Sequence, residues 1–128
     1  MRPVAFFLTL LCVQSMAAAS KSISLADARS AVEANLLTPE GKAFDEKLGT
    51  EFVQKHLAAV RQCRQTIGGS LEDFWILLKL EKDGEVGEVL LYPTTKLGTC
   101  ARETLLKDKF LSPPRADYWV SIFMKLAH

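Results

Sequence analysis

In three segments of the second half of the chain, apolar side chains recur at every second position. This pattern constrains the fold more than any other feature. They cover residues 74–81, 86–92 and 118–126. A period of two places successive side chains on opposite faces of a β-strand. Asp83-Gly84 separates the first two segments and favours a tight hairpin turn, since both residues tolerate positive φ. The sequence therefore predicts an antiparallel pair followed by a third strand.

The same alternation assigns side chains to the two faces of the predicted sheet. One face receives an apolar set: Phe74, Ile76, Leu78, Leu80, Tyr118, Val120, Ile122, Met124 and Leu126. We place four aromatic residues on the opposite face as a candidate binding surface: Trp75, Tyr92, Trp119 and Phe123. Exposed aromatic patches mark binding sites. The alternative is that the N-terminal helix, or dimerisation through the sheet, covers these residues.

The first half of the chain carries helix signals. Ser24 can cap a helix over 25–36, and Thr38-Pro39 can start a longer helix that ends at Gly68-Gly69. An apolar stripe runs along this longer helix at steps of three and four: Phe44, Leu48, Phe52, His56, Val60 and Cys63. A short helix over 100–110, capped by Thr99, is predicted between the second and third strands.

The predicted order is therefore α, α, β, β, α, β. An antiparallel three-stranded sheet packed against helices is a two-layer α+β arrangement. We expect one domain over residues 20–128, with a helical part over 20–70 and a sheet-containing part over 71–128. The long and short helices should lie on the same face of the sheet.

The N-terminus has the pattern of a secretory signal peptide. Arg2 supplies a positive charge, residues 4–13 form an apolar run, and Ala17-Ala18-Ala19 offers small residues at the cleavage positions. The run has about ten residues, against the roughly 20 that a membrane-spanning helix needs. We predict cleavage after Ala19, no retained membrane anchor, and a periplasmic or secreted protein.

Cleavage would remove Cys12 and leave Cys63 and Cys100 in an oxidising compartment. We expect these two cysteines to form a disulfide that closes a loop of about 37 residues and contributes roughly 3 to 4 kcal/mol in the chain-entropy model. The sequence has no C-x-x-C motif and no zinc-ligand spacing, so a redox-active or metal-binding pair is the less favoured alternative.

The charge balance argues against a polyanionic partner. Without the leader, Lys plus Arg equal Asp plus Glu, and the mature chain is formally neutral. Nucleic-acid binding proteins usually carry a basic patch or net positive charge. We therefore expect no nucleic-acid partner. The sequence has no Walker A loop, no dinucleotide fingerprint and no EF-hand ligand spacing, so we also expect no cofactor and no metal.

No catalytic residue can be assigned from the sequence. His56 lies on the apolar stripe, where a packed histidine is more common than a general base, and no acid can be assigned to orient it. The serines lie outside any G-x-S-x-G motif. An enzyme that uses His56 as its general base remains the alternative.

The second half of the chain resembles a known domain. The stretches FWILLKLEKDGEVGEVLLYPTT, CARETLLKDKF and SPPRADYWVSIFMKL are similar to the C-terminal domain of the TonB family over about residues 74–126. The "TPEG" helix start and the two cysteines are also similar to those of small periplasmic bacterial proteins. The TonB resemblance implies the same element order and a sheet edge that can accept a partner's strand. Pro39 is the only proline between residues 4 and 92, so the proline-rich spacer of an energy transducer is missing.

These features favour a noncatalytic periplasmic protein. We expect it to bind an envelope protein or peptide through a sheet edge or the aromatic sheet face. An enzyme or enzyme subunit with an unrecognised cleft, and a homodimeric envelope-maintenance factor, are the alternatives.

Overall fold

The computed structural model describes residues 22–68 and 72–126. The predicted leader, its cleavage position and Gly69 lie outside the described residues. The elements, in chain order, are α1 (Leu25–Leu36), α2 (Pro39–Glu51), a π-helical turn (Phe52–His56), α3 (Leu57–Ile67), β1 (Phe74–Leu80), β2 (Val86–Tyr92), α4 (Lys96–Leu105) and β3 (Tyr118–Met124). The predicted α+β class, the antiparallel three-stranded sheet and the disulfide are confirmed.

The central strand of the sheet is β1, in the order β2-β1-β3, and both pairings are antiparallel. Asp83 and Gly84 lie in the β1–β2 turn, as predicted. The Asp83 carboxylate accepts a hydrogen bond from the Glu85 backbone N–H, and Gly84 has a φ of 89°. Residue 84 thus occupies a left-handed conformation that favours glycine.

The first two helix starts are confirmed, and the third is corrected. Ser24 and Thr38 cap α1 and α2. Helix α4 begins at Lys96 rather than at Cys100, because the Thr95 side chain, not that of Thr99, accepts the capping hydrogen bond from Gly98.

The predicted ends of α4 and β3 are also corrected. Helix α4 ends at Leu105 rather than at residue 110. Phe110 lies beyond the end of the helix, and its backbone N–H donates a hydrogen bond to the carbonyl of Gly84 in the hairpin. Strand β3 ends at Met124, two residues early, and the Leu126 N–H donates to the side chain of Asp73.

The main core lies between one sheet face and the helices α2, α3 and α4. All six residues of the predicted stripe are buried: Phe44, Leu48, Phe52, His56, Val60 and Cys63. A step of four residues overshoots an α-helical turn by about 40°, so the four successive steps of four in this stripe would rotate it by about 160°. The π-helical turn contains more residues per turn than an α-helix. It offsets this rotation and keeps the stripe facing the sheet.

The disulfide joins Cys63 of α3 to Cys100 of α4, with their Cα atoms 5.9 Å apart. This is the predicted pairing. It fixes the end of the long helical segment beside the short helix on the same face of the sheet.

Helix α1 packs on the opposite face of the sheet. Ala28 and Val32 contact Leu77 of β1 and Trp119 of β3, and all four are buried. The two-layer description therefore holds for α2 to α4, and α1 adds a layer on the second face. Within the described part of the chain, no helix is long and apolar enough to cross a membrane.

Candidate functional site

The four residues of the predicted aromatic surface separate into an exposed group and a buried residue. The exposed fractions of Trp75, Tyr92 and Phe123 are 42%, 50% and 45%. Trp119 is 4% exposed, because α1 covers its end of the sheet face. The candidate surface is therefore the end of the face that α1 leaves open.

The three exposed aromatic residues form one row across all three strands, which we call the aromatic row. Trp75 on the central strand pairs with Tyr92 on one side and with Phe123 on the other. The Trp75 and Phe123 rings have centroids 4.7 Å apart. Since residues paired across strands point to the same face, the row presents a continuous apolar surface.

A groove lies where the aromatic row meets α1. Its volume is about 190 Å³, and it is lined by Arg29, Val32, Glu33, Leu36, Trp75, Leu77, Tyr92 and Ser121. The Arg29 guanidinium carbon lies 5.9 Å from the centre of the Tyr92 ring, within cation–π range. The groove thus combines apolar and aromatic walls with two charged side chains from α1.

The outer edge of β3 adjoins the aromatic row. The Trp119 carbonyl accepts a hydrogen bond from the Asn35 side chain on α1, while the Leu126 N–H points back toward Asp73 beside β1. Backbone groups alternate in direction along a strand, so those of Ser121 and Phe123 point away from β1. Among the described residues, these outward groups have no hydrogen-bond partner.

A side-chain amide protects the other end of this edge. Asn35 is buried. Its side-chain oxygen accepts a hydrogen bond from Arg115, and its side-chain nitrogen donates one to the Trp119 carbonyl. Arg115 also lies over the Tyr118 ring, 5.0 Å from its centre. The open part of the β3 edge is therefore the part beside Phe123.

A second polar cluster surrounds His56, and the sequence did not reveal it. The His56 Nδ1 atom lies 2.9 Å from Oδ2 of Asp108, its Nε2 atom lies 3.5 Å from Oε1 of Glu51, and its ring stacks on Phe110 at 4.0 Å. His56 and Glu51 are 4% and 6% exposed. No local pattern links His56 to Asp108, since 52 residues separate them and only the tertiary fold brings them together.

The geometry of this cluster suits a structural link. Asp108 and Glu51 approach opposite nitrogens of the imidazole, so they cannot bind one metal ion together with it. The other Glu51 oxygen accepts a hydrogen bond from the Leu111 backbone N–H. Across residues 22–68 and 72–126, no group of three or more His, Cys, Asp or Glu side chains is arranged to hold a metal.

Among the carboxylates around the main core, Asp45 has a perturbed pKa. Partial burial raises the pKa of its carboxyl above the ordinary 3.8, and the charge of neighbouring Glu46 raises it further. The Tyr118 pKa is also raised, mainly by burial, although Arg115 acts in the opposite direction. Neither group lines the groove or the aromatic row.

Comparisons with known proteins find no matching family model, no matching curated protein and no matching solved structure.

Proposed function

We propose that the protein is a noncatalytic periplasmic or secreted binding module. It holds an extended segment of a partner protein or peptide along the open edge of β3, with side chains of that segment resting on the aromatic row. The observation that carries this proposal is the position of exposed Phe123 on the edge strand, where the outward backbone groups of Ser121 and Phe123 are unpaired among the described residues. Exposed Trp75 lies next to Phe123 on the central strand and extends the apolar surface inward.

An open strand edge and an aromatic surface contribute differently to such binding. A strand added beside β3 would form backbone hydrogen bonds that supply affinity for any extended chain. Its side chains would stand next to Phe123, about 4.8 Å from the edge strand, and would select for apolar residues. Aromatic residues are enriched at interface positions that dominate binding energy.

The enzyme alternative receives less support. His56 is 4% exposed, and its ring is enclosed by Phe110, Asp108 and Glu51. A general base must reach a substrate proton directly or through one water. The buried position of His56 is better suited to holding the α4–β3 connection in place.

Export is part of the proposal and has a direct test. If the N-terminal segment is a cleaved leader, the protein recovered from the periplasm or the medium has the mass of residues 20–128. An intact mass that includes residues 1–19 would contradict cleavage after Ala19.

The binding surface is tested by affinity capture from a periplasmic extract of the source organism. The bait is the oxidised mature protein, and partners are identified by mass spectrometry. A Trp75→Ala/Phe123→Ala variant should lose the partner. The matched control, Val53→Ala/Leu106→Ala, removes exposed apolar side chains elsewhere and should retain it.

A second variant tests the strand edge separately. Ser121→Pro removes an outward N–H, and proline is tolerated at strand edges, so the fold should survive while capture is lost. Val120→Pro removes an inward N–H and should destabilise the sheet instead. A partner captured equally by wild type and by folded Ser121→Pro would rule out strand addition at β3.

A further inference from the structure

The groove between α1 and the aromatic row carries two charged side chains of opposite sign. Arg29 and Glu33 lie one helical turn apart on α1, and both line the groove. In the described part of the chain, neither forms an ion pair, and the contact of the Arg29 guanidinium is with the Tyr92 ring. A ligand in the groove would therefore meet an unpaired cation and an unpaired anion.

The spacing of these charges limits the ligands that fit. Side chains four residues apart on a helix have Cβ atoms about 5 to 6 Å apart. In an extended peptide, neighbouring side chains on one face are two residues apart. Two charged side chains that flank one anchor residue on that face are therefore four residues, or about 13 Å, apart. An ammonium and a carboxylate on a single α-carbon are much closer together and match the α1 pair better.

The size and lining of the groove indicate the rest of the ligand. Its volume of about 190 Å³ is below the roughly 300 to 1,000 Å³ of sites for drug-sized molecules. Trp75 and Tyr92 contribute aromatic rings to the lining, and the buried side chain of Leu77 also lines the groove. This space suits one large apolar side chain.

We propose that the groove binds the zwitterion of a free α-amino acid with a large apolar side chain. Arg29 binds the carboxylate, Glu33 binds the ammonium, and the side chain lies between Trp75 and Tyr92. This site goes beyond the peptide surface of the proposed function: it shares Trp75 with that surface but depends on α1 rather than on the β3 edge.

The test is a titration of the ¹⁵N-labelled mature protein with L-phenylalanine, followed by NMR. We expect saturable shifts at the amides and indole of Trp75 and at Tyr92, with a Kd of about 1 mM or below. Phenylalaninamide lacks the carboxylate, N-acetyl-phenylalanine lacks the ammonium, and each should bind about tenfold more weakly than phenylalanine, since charge-assisted hydrogen bonds are lost.

Two variants test whether Arg29 binds the carboxylate of the ligand and Glu33 binds its ammonium group. Arg29→Gln should weaken phenylalanine binding about tenfold and leave phenylalaninamide unaffected, while Glu33→Gln should weaken phenylalanine and leave N-acetyl-phenylalanine unaffected. Both positions are exposed, so the fold should be retained. Control variants Lys79→Gln and Glu88→Gln lie at the far end of the same face and should bind normally.

The proposal is overturned if phenylalanine causes no saturable shifts up to about 10 mM, a concentration that would detect even weak binding. It is also overturned if both blocked compounds bind as tightly as phenylalanine, because the groove would then be only apolar. If the partner is captured but phenylalanine does not bind, the amino-acid site is refuted and the proposed function stands. If phenylalanine binds but no partner is captured, the proposed function is refuted and the amino-acid site stands.

Discussion

The Nδ1 atom of His56 lies 2.9 Å from Oδ2 of Asp108, and this hydrogen bond joins segments 52 residues apart. On one side is the π-helical turn that connects α2 to α3, and on the other is the α4–β3 connection. Glu51 reaches the same connection through the backbone of Leu111. Two polar contacts from one turn of helix therefore hold a connection without regular structure against the main core.

We expect His56→Gln to destabilise the protein by about 2 to 3 kcal/mol, because it removes the Asp108 hydrogen bond and leaves the buried Glu51 carboxylate without its neighbour. The measurement is urea unfolding followed by circular dichroism. Lys55→Gln, the exposed neighbour, is the matched control and should change stability by less than about 0.5 kcal/mol. Equal stabilities of the two variants would show that the His56 link contributes nothing.

The two tryptophans should respond differently to substitution. Trp119→Ala removes a side chain buried beneath α1 and should cost about 3 to 5 kcal/mol. Trp75→Ala removes a half-exposed ring and its contact with Phe123, and should cost about 1 kcal/mol. Fluorescence provides a check: a Trp75→Phe variant should emit at shorter wavelength than wild type, and red-shifted emission would mean that Trp119 is solvent-exposed.

Reduction of the disulfide should lower the free energy of unfolding by about 3 to 4 kcal/mol, since Cys63 and Cys100 are 37 residues apart. Chemical unfolding with and without dithiothreitol measures this difference. A Cys63→Ala/Cys100→Ala variant should match the reduced protein and be insensitive to the reductant. If the reduced and oxidised proteins were equally stable, the cross-link would have no stabilising role.

Asp45→Asn should stabilise the protein at neutral pH. The folded-state pKa of Asp45 is raised above 3.8, so its protonated form favours folding. That contribution is fully present below the unfolded-state pKa and is lost as pH rises through the raised folded-state pKa. The stability difference between variant and wild type should therefore shrink as pH falls toward 3.8 and below. Urea unfolding across this pH range is the measurement, with exposed Glu103→Gln as the control.

A pair of glycine substitutions tests the hairpin. Gly84→Ala should be strongly destabilising, because φ is 89° and an added Cβ would lie 2.0 Å from the Phe110 carbonyl oxygen. Gly49→Ala in α2 meets nothing within 4 Å and should stabilise the protein by about 0.5 to 1 kcal/mol. Thermal unfolding of both variants gives the comparison, and a stable Gly84→Ala protein would contradict the hairpin geometry.

Much of the fold was predictable because its signals are local. The Ser24 and Thr38 caps, the Asp83-Gly84 turn and the period of two each involve residues within a few positions of one another. The sequence predicts a start of α4 four residues too late, because Thr95 and Thr99 are both hydroxyl residues that can cap a helix. Only the hydrogen bond to Gly98 distinguishes them.

The candidate site was only partly predictable. The alternation correctly put Trp75, Tyr92 and Phe123 on one face with Trp119, but it could not show that α1 would cover one end of that face. The charged residues Arg29 and Glu33 gave no signal of their own, because their importance depends on where α1 lies over the sheet.

The sequence by itself determined the order of the helical and strand segments, the hairpin and the cysteine pair. The segments and the hairpin follow from local spacing and caps, and the pair follows because cleavage of the leader would leave only two cysteines. The tertiary structure decided which aromatic residues are exposed, which edge of the sheet stays open and which acids surround His56. These properties depend on contacts between segments 50 or more residues apart, such as Asn35 with Trp119 and His56 with Asp108. Packing of the whole chain brings such segments together, and local sequence patterns do not predict these contacts.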